Sequence, residues 1–156
     1  MKRALALLAV ITAVTTACSG DGGGGPEGSG DLLKVVTTVS PITNIVQNIG
    51  GSNVEISGIV PEGTNSHTFA PAPADARAMA EANIVFINGL HLEEPTRELA
   101  EANVRDGVKI VELGARTITP DEYIYDLSFP EEAGDPNPHL WTNPPYALRY
   151  AEIVEN

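Results

Sequence analysis

Three histidines are the side chains in this sequence best suited to bind a transition metal. His67 lies in the segment TNSHTFAPAPAD, in which Pro71 and Pro73 follow the ring. Proline fixes its own φ and forces the preceding residue into an extended conformation, so this segment is stiff. An imidazole that is already held in place loses little entropy when it binds an ion. His67 is therefore a candidate metal ligand, and a solvent-facing loop histidine is the alternative.

His139 lies in a similar segment, PNPHLW, in which Pro136 and Pro138 precede the ring. Trp141 follows two residues later, on the same side of the chain if the segment is extended. An aromatic neighbour excludes water and lowers the local dielectric, so Trp141 is a candidate support for a bound ion. The alternative is that Trp141 belongs to the core and His139 is its polar neighbour. His67 and His139 are 72 residues apart, which is no zinc-finger spacing, so only the fold can bring them together.

His91 is a weaker candidate, in the segment NGLHLEEP. We expect a solvated turn histidine that is bonded to a carboxylate, with metal ligation as the lesser alternative. Glu93 and Glu94 are expected to open the next helix, where the helix dipole favours acidic side chains. Glu93 is also a candidate residue to support the metal ligands without binding the ion.

Alternating strand and helix patterns from residue 32 onward must position these histidines. Strands are predicted at 32–40, 53–60, 83–89 and 109–114, and helices at 41–49, 73–82, 92–104 and from 143. This order predicts an α/β fold with a parallel sheet of about four strands flanked by helices. Ligands bind at the carboxyl ends of such strands, and all three histidines follow a strand there. The Pro- and acid-rich region 115–138 is predicted to be a long loop.

The first 31 residues are predicted to lie outside the globular part. Lys2, Arg3 and the apolar run 4–14 are typical of a signal peptide, here 1–17, and the run is too short to be a permanent span. The residues Thr15 to Cys18 resemble a lipoprotein cleavage box, in which the cysteine becomes the lipid-modified first residue, although Thr15 departs from the usual Leu or Val of that pattern. A stray thiol at Cys18 is the alternative. A Gly-rich tether at 18–31 leads into the α/β lobe at 32–142. As the only cysteine, Cys18 allows no disulfide within the chain.

The last predicted helix, at 143–156, has no end signal. Asn143 is a plausible N-cap, and Pro144 and Pro145 are tolerated in the first turn. We therefore expect the start of a longer linking helix in a truncated chain.

The formal net charge of −12 bears on possible partners. It disfavours nucleic acid and anionic membrane surfaces, and it is compatible with a cationic ligand.

Three segments, HTFAPAPAD, NIVFINGLHLEE and PHLWTNP, occur in this order and together resemble the zinc- and manganese-binding solute receptors of ABC transporters. Some members of that family are adhesin lipoproteins. The resemblance covers 34–156 and implies two α/β lobes joined by one long helix, with the metal between the lobes. It implies that His67 and His139 are ligands from the first lobe, and that a second lobe supplies a carboxylate or histidine and an aspartate.

The resemblance also implies a function. A monomer anchored to the cell membrane by a lipid captures Zn²⁺ or Mn²⁺ outside the cell and delivers it to an ABC permease and its ATPase, without catalysis. The sequence leaves open which metal is carried and whether the protein has an adhesin role.

The sequence departs from the family pattern at several positions. Ala70 stands where Glu is frequent, and Asn143 where Asp is frequent. Ala72 stands where Thr or Ser is frequent, which removes a helix cap worth about 1 kcal/mol. The region 115–138 also lacks the histidine-rich loop of many zinc-selective members. None of these changes affects His67 or His139.

Two other classes of function remain open from the sequence. A zinc hydrolase with one metal position open to water would need Glu93 or Glu94 as general base, and the sequence has no HExxH motif. A receptor for an organic solute would use Trp141 and Tyr146 as a stacking platform.

Overall fold

The structure, a computed structural model, describes residues 31–156, which form a four-stranded sheet with helices on both faces. The strands are β1 Leu33–Thr37, β2 Val54–Gly58, β3 Ile84–Ile87 and β4 Lys109–Glu112. They lie in the order β2-β1-β3-β4, and every pair is parallel. The predicted α/β fold with a parallel sheet is confirmed. The predicted signal peptide and Cys18 lie outside the described residues.

Helices connect and follow the strands. They are α1 Ser40–Gly50, α2 Pro73–Glu81, α3 Glu94–Asn103, α4 Leu113–Thr117 and α5 Pro144–Glu155. All except the short α4 have proline in the first turn, where the missing N–H would have no helical partner. No helix among residues 31–156 is both long and apolar enough to span a membrane.

The two faces of the sheet pack against different helices. Val35 belongs to a core cluster that includes residues of α1, α4 and α5, and Val36, next to it on β1, belongs to a second cluster with residues of α2 and α3. This division follows from the strand geometry, because successive side chains point to opposite faces. The continuous β-branched run therefore encodes a strand that is buried on both sides.

The region between β4 and α5 differs from the predicted long loop. It begins with α4 and contains short 3-10 turns at Pro120–Glu122 and Glu131–Ala133. Gly114, predicted to end a strand, lies within α4, and its N–H donates to the carbonyl of Asn88 at 2.8 Å. A Cβ at this position would lie 2.8 Å from that carbonyl oxygen, so the close approach of Asn88 requires a glycine here. The segment at Leu140–Thr142, predicted to be extended, is a 3-10 turn as well.

Asn143 occupies the predicted N-cap position of α5, but its side chain makes no capping hydrogen bond. Asn143 precedes the helix, but only its backbone carbonyl bonds there, accepting the N–H groups of Tyr146 and Ala147 at 3.0 Å. Pro144 and Pro145 have no N–H, so the side chain finds few donors in the first turn. In α2, by contrast, Asp75 occupies the third helical position, and its Oδ2 accepts the backbone N–H of Ala72 at 2.7 Å.

Candidate metal site

The fold brings His67 and His139 together at the carboxyl-end edge of the sheet. His67 lies in the connection from β2 to α2, and His139 lies just before α5. Their ring centroids are 5.3 Å apart, with 53° between the ring planes. Two imidazoles bound to one tetrahedral zinc ion, at Zn–N distances of about 2.0–2.1 Å, have centroids about 5 Å apart. The observed spacing is therefore compatible with one shared ion.

Phe129 completes a cluster of three rings. Its centroid lies 5.7 Å from that of His67, in a stacked arrangement, and 5.6 Å from that of His139. Asp126 holds the turn that carries this ring, because its Oδ1 accepts the N–H groups of Ser128 and Phe129 at 2.7 and 3.1 Å. The sequence analysis missed Phe129. The only local signal is an aspartate placed to form such a turn, and it does not indicate which side chain the turn presents.

Trp141 lies beside His139, although the segment is a 3-10 turn and not the expected extended chain. The two ring centroids are 5.3 Å apart in an edge-on arrangement. Trp141 is only partly buried and also packs against the core cluster of α1 and α5. Trp141 is therefore both a neighbour of the His139 ring and a part of the core, and its role as a support for a bound ion stays a prediction.

Asn137 fixes the orientation of the His139 ring. Its Oδ1 accepts the backbone N–H of His139 at 2.9 Å and lies 2.9 Å from the Nδ1 atom of the ring. A carbonyl oxygen can only accept, so Nδ1 carries the proton and Nε2 has the lone pair in the neutral ring. The Nδ2 group of Asn137 donates to Asp126 at 2.6 Å, which confirms how the amide is turned. A ring held this way presents Nε2 as a metal-binding nitrogen.

Burial shifts the pKa of His139 toward the neutral ring, and hydrogen bonds shift the pKa of Asp126 toward the carboxylate. Burial lowers the pKa of His139, the nearby His67 ring lowers it further, and Asp126 opposes both. The pKa of Asp126 is lowered chiefly by the N–H of Ser128 and then by the amide of Asn137. A neutral imidazole is the form that binds metals, so this environment favours the ligand form of His139.

His91 is exposed in the turn between β3 and α3. Its backbone and that of Leu90 are in the left-handed region, with φ values of 60° and 52°. Its Nδ1 lies 3.5 Å from Glu94 and its Nε2 lies 3.8 Å from Asp135, so both carboxylates are near the ring without a short hydrogen bond. His91 and His67 line one cavity of about 240 Å³, but among the three histidines the ring contact lies between His67 and His139.

The carboxylate of Glu93 is enclosed in the protein. Glu93 is 2% exposed, and its Oε1 accepts the Thr38 hydroxyl and the Asn88 N–H, both at 2.6 Å. Burial is the main cause of its raised pKa. These contacts connect Glu93 to the sheet rather than to a histidine ring. Glu94 is paired with Arg97, so neither glutamate is free to act as the general base of a hydrolase.

The aromatic side chains do not form an open platform for an organic solute. Tyr146 faces the guanidinium of Arg149, whose Cζ lies 5.6 Å from the ring centroid. Tyr146 and Trp141 both pack partly against the core. A cavity of about 540 Å³ at the opposite, amino-end edge of the sheet contains no histidine, and its Lys34 and Glu81 neutralise each other at 2.9 Å.

By itself, the histidine pair would be only part of a metal site. Within residues 31–156, no group of three or more His, Cys, Asp or Glu side chains gathers closely enough to hold an ion. Two neutral imidazoles leave coordination positions open and the charge of a divalent ion uncompensated. Further ligands must come from outside this group.

The molecule is thus an open α/β lobe with a histidine pair at the edge where such sheets bind ligands. A protein-family model described as zinc-uptake complex component A, periplasmic, matches residues 35–156. The chain belongs to this family.

Individual relatives have similar names. The manganese ABC transporter substrate-binding lipoprotein PsaA of Streptococcus pneumoniae is 31% identical, over 99% of this chain and 50% of its own length. The manganese-binding lipoprotein MntA of Halalkalibacterium halodurans is 31% identical, over 96% of this chain and 46% of its own. The chain thus spans about half the length of the curated relatives it matches.

Solved structures show the same lobe. The periplasmic zinc-binding protein TroA of Treponema pallidum superposes with a TM-score of 0.66 at 25% identity, covering 77% of this chain and 41% of that protein. A manganese-bound periplasmic metal-binding protein from Candidatus Liberibacter asiaticus gives 0.64 at 31% identity, covering 78% and 43%.

Proposed function

We propose that this chain contributes the first-lobe half of a site that captures a divalent transition metal, Zn²⁺ or Mn²⁺, outside the cell. His67 and His139 are the proposed ligands, and the ion is cargo that is bound and released unchanged. The protein is then a receptor and not an enzyme. The observation that carries the proposal is the 5.3 Å separation of the two rings at the carboxyl-end edge of the sheet.

The hydrogen bonds around His139 support this proposal. Asn137 selects the tautomer with a free Nε2 lone pair, and partial burial favours the neutral ring. Trp141 and Phe129 surround the imidazole with apolar surface, which strengthens the bond between a nitrogen and a cation by excluding water. His67 is more exposed, so it is the ligand that an arriving ion would meet first.

Two imidazoles alone do not select the metal. Nitrogen-containing sites bind Zn²⁺ more tightly than Mn²⁺ in general, so selectivity depends on the remaining ligands and on metal supply. The relatives are named for both metals. The family resemblance implies that these remaining ligands, carboxylates among them, belong to a second lobe, to which α5 would lead as the start of the linking helix.

The proposal includes the setting of an ABC importer. The receptor is anchored at Cys18 by a lipid, acts as a monomer on the outer side of the membrane, and passes the ion to a permease driven by an ATPase. The lipoprotein names of the relatives support the anchor, and their transporter names support the partners. The fold of the lobe supports neither point by itself.

Titration with zinc and with manganese tests the proposal. We expect the purified chain to bind zinc weakly, with a dissociation constant in the micromolar range or above, because only two neutral ligands are present. His67→Ala and His139→Ala should each weaken zinc binding at least about tenfold, since each removes half of the ligand set.

The third histidine provides the matched control. His91→Ala removes an exposed imidazole near the site without touching the ring pair, and it should change zinc affinity less than about twofold. Equal losses for all three variants would show that binding is nonspecific. A nanomolar affinity of the unmodified chain would show that two-ligand binding is the wrong description.

A further inference from the structure

Asn88 makes three side-chain hydrogen bonds that link the histidine edge of the sheet to helix α5. It follows β3 directly and is fully buried. Its Nδ2 group donates to the carbonyls of Gly89 and Pro138, at 2.9 and 3.0 Å. Its Oδ1 accepts the hydroxyl of Tyr150, on α5, at 2.7 Å. One carboxamide thus bridges the peptide bond before His139 and the middle of α5.

The backbone of Asn88 is fixed equally firmly. Its N–H donates to the buried Glu93 carboxylate at 2.6 Å, and its carbonyl accepts the N–H of Gly114 at 2.8 Å. The Thr38 hydroxyl holds the same Glu93 oxygen from the end of β1. The carboxamide is therefore attached to the rigid centre of the sheet, and displacement of either of its partners would break a buried hydrogen bond.

Asparagine suits this position because one planar group must donate twice and accept once. Aspartate offers no donor, so it would place an oxygen against the Pro138 carbonyl. An apolar residue would leave the Tyr150 hydroxyl without its partner in the interior, which is costly for a buried polar group. It would also remove one of the two donors to the Pro138 carbonyl, which accepts the Leu140 N–H at 2.9 Å as well. The chemistry of the site thus calls for an amide.

We propose that Asn88 is a positioning residue that couples the His139 ligand to helix α5 through Pro138 and Tyr150. This inference rests on the proposed function, because it assumes that His139 binds the ion. Ordering of His139 by a bound ion then stabilises the docked position of α5. Loosening of α5 conversely weakens the hold on His139, since coupling between two sites is reciprocal.

Hydrogen exchange with and without zinc tests the coupling in the full chain. In the unmodified chain, zinc should slow the exchange of backbone amides around Tyr150. Tyr150→Phe removes one hydroxyl and leaves the Asn88–Pro138 bond in place. It should keep zinc affinity within about threefold, because its effect is indirect, but should abolish the zinc-dependent protection of α5.

A second variant tests the other side of the bridge. Asn88→Asp should weaken zinc binding about tenfold, which is the lower limit of the loss that is typical when a partner of a metal ligand is replaced. Asn103→Asp is the matched control, because the amide of Asn103 donates to the Leu99 carbonyl within α3, away from the site. It should change neither affinity nor protection. If Asn88→Asp does not fold, the Tyr150→Phe experiment decides by itself.

The outcomes separate this inference from the function on which it rests. If the unmodified chain binds no zinc, the proposed function fails and the coupling with it. If zinc binds but both variants retain full affinity and full protection of α5, the function stands and the coupling is wrong. Loss of protection in Tyr150→Phe with affinity retained supports the coupling, because a general loss of stability would expose all elements alike.

Discussion

Removal of the Asn137 side chain should weaken metal binding through the His139 ring. Asn137→Ala deletes the oxygen that accepts both the backbone N–H and the Nδ1–H of His139, each at 2.9 Å. It also deletes the 2.6 Å bond to Asp126. The imidazole is then free to rotate and to place its proton on Nε2, the nitrogen that the ion needs.

The size of the effect follows from these contacts. A net hydrogen bond is worth about 0.5–1.5 kcal/mol, and ordering a side chain on binding costs about 0.5–1.5 kcal/mol. Together they predict a loss of about 1–3 kcal/mol. This range agrees with the 10- to 100-fold loss, roughly 1.4–2.7 kcal/mol, that is typical when the partner of a ligating histidine is removed.

Competition with a chromophoric zinc chelator at about pH 7.5, where an ordinary histidine is neutral, measures the loss. Asn65→Ala is the matched control, because the Oδ1 atom of Asn65 accepts the backbone N–H of His67 at 3.0 Å, in a hydrogen bond that is exposed to solvent and does not involve the ring. It should change affinity less than about threefold. Equal losses in Asn137→Ala and Asn65→Ala, or an unchanged His139 tautomer by ¹⁵N NMR, would refute the reasoning.

Three further predictions concern stability. Burial raises the pKa of Glu93, so the folded state binds this proton more tightly than the unfolded chain does. The stability of the unmodified chain relative to Glu93→Gln should therefore be greatest below about pH 4.5 and fall as pH rises through the raised pKa. Denaturant unfolding at several pH values measures this difference. Ala72→Ser should add a side-chain cap to α2 and stabilise the protein by about 0.5–1 kcal/mol, and no gain would show that the α2 terminus gives a serine no geometry for capping. Gly114→Ala should destabilise by about 1–3 kcal/mol in thermal unfolding, because its Cβ would lie 2.8 Å from both the Asn88 carbonyl and the Leu90 side chain; an unchanged midpoint would mean that the turn yields without strain.

The sheet was predictable because each strand has a strong local signal. The run around Val35 and Val36 is β-branched and apolar on both faces, which few elements other than a buried parallel strand require. The helix starts were marked by proline at Pro41, Pro73 and Pro144. The order of the strands was not predictable from these signals, because it depends on pairings between residues far apart in the chain.

The site was predictable only where the local chain is stiff. Prolines beside His67 and His139 marked the two rings, whereas Phe129 lies in an acidic segment with no periodic pattern. Glu93 was expected in the first turn of α3 and instead precedes the helix, at the buried N-cap position, where the Thr38 hydroxyl and the Asn88 N–H donate to its carboxylate. Asn88 carries no signal at all in the sequence, since its partners are separated from it by up to 62 residues.

The 72 residues between His67 and His139 make the ring pair a product of the tertiary fold and not of a local motif. That interval contains β3 and β4 with the helices α2, α3 and α4, so the ring separation depends on the packing of the whole sheet. In a zinc finger, by contrast, the ion supplies the folding free energy and its removal unfolds the chain. Here an ion would arrive at a lobe that is already assembled, and its departure would leave the hydrophobic core intact. A carrier that repeats cycles of loading and unloading needs this independence.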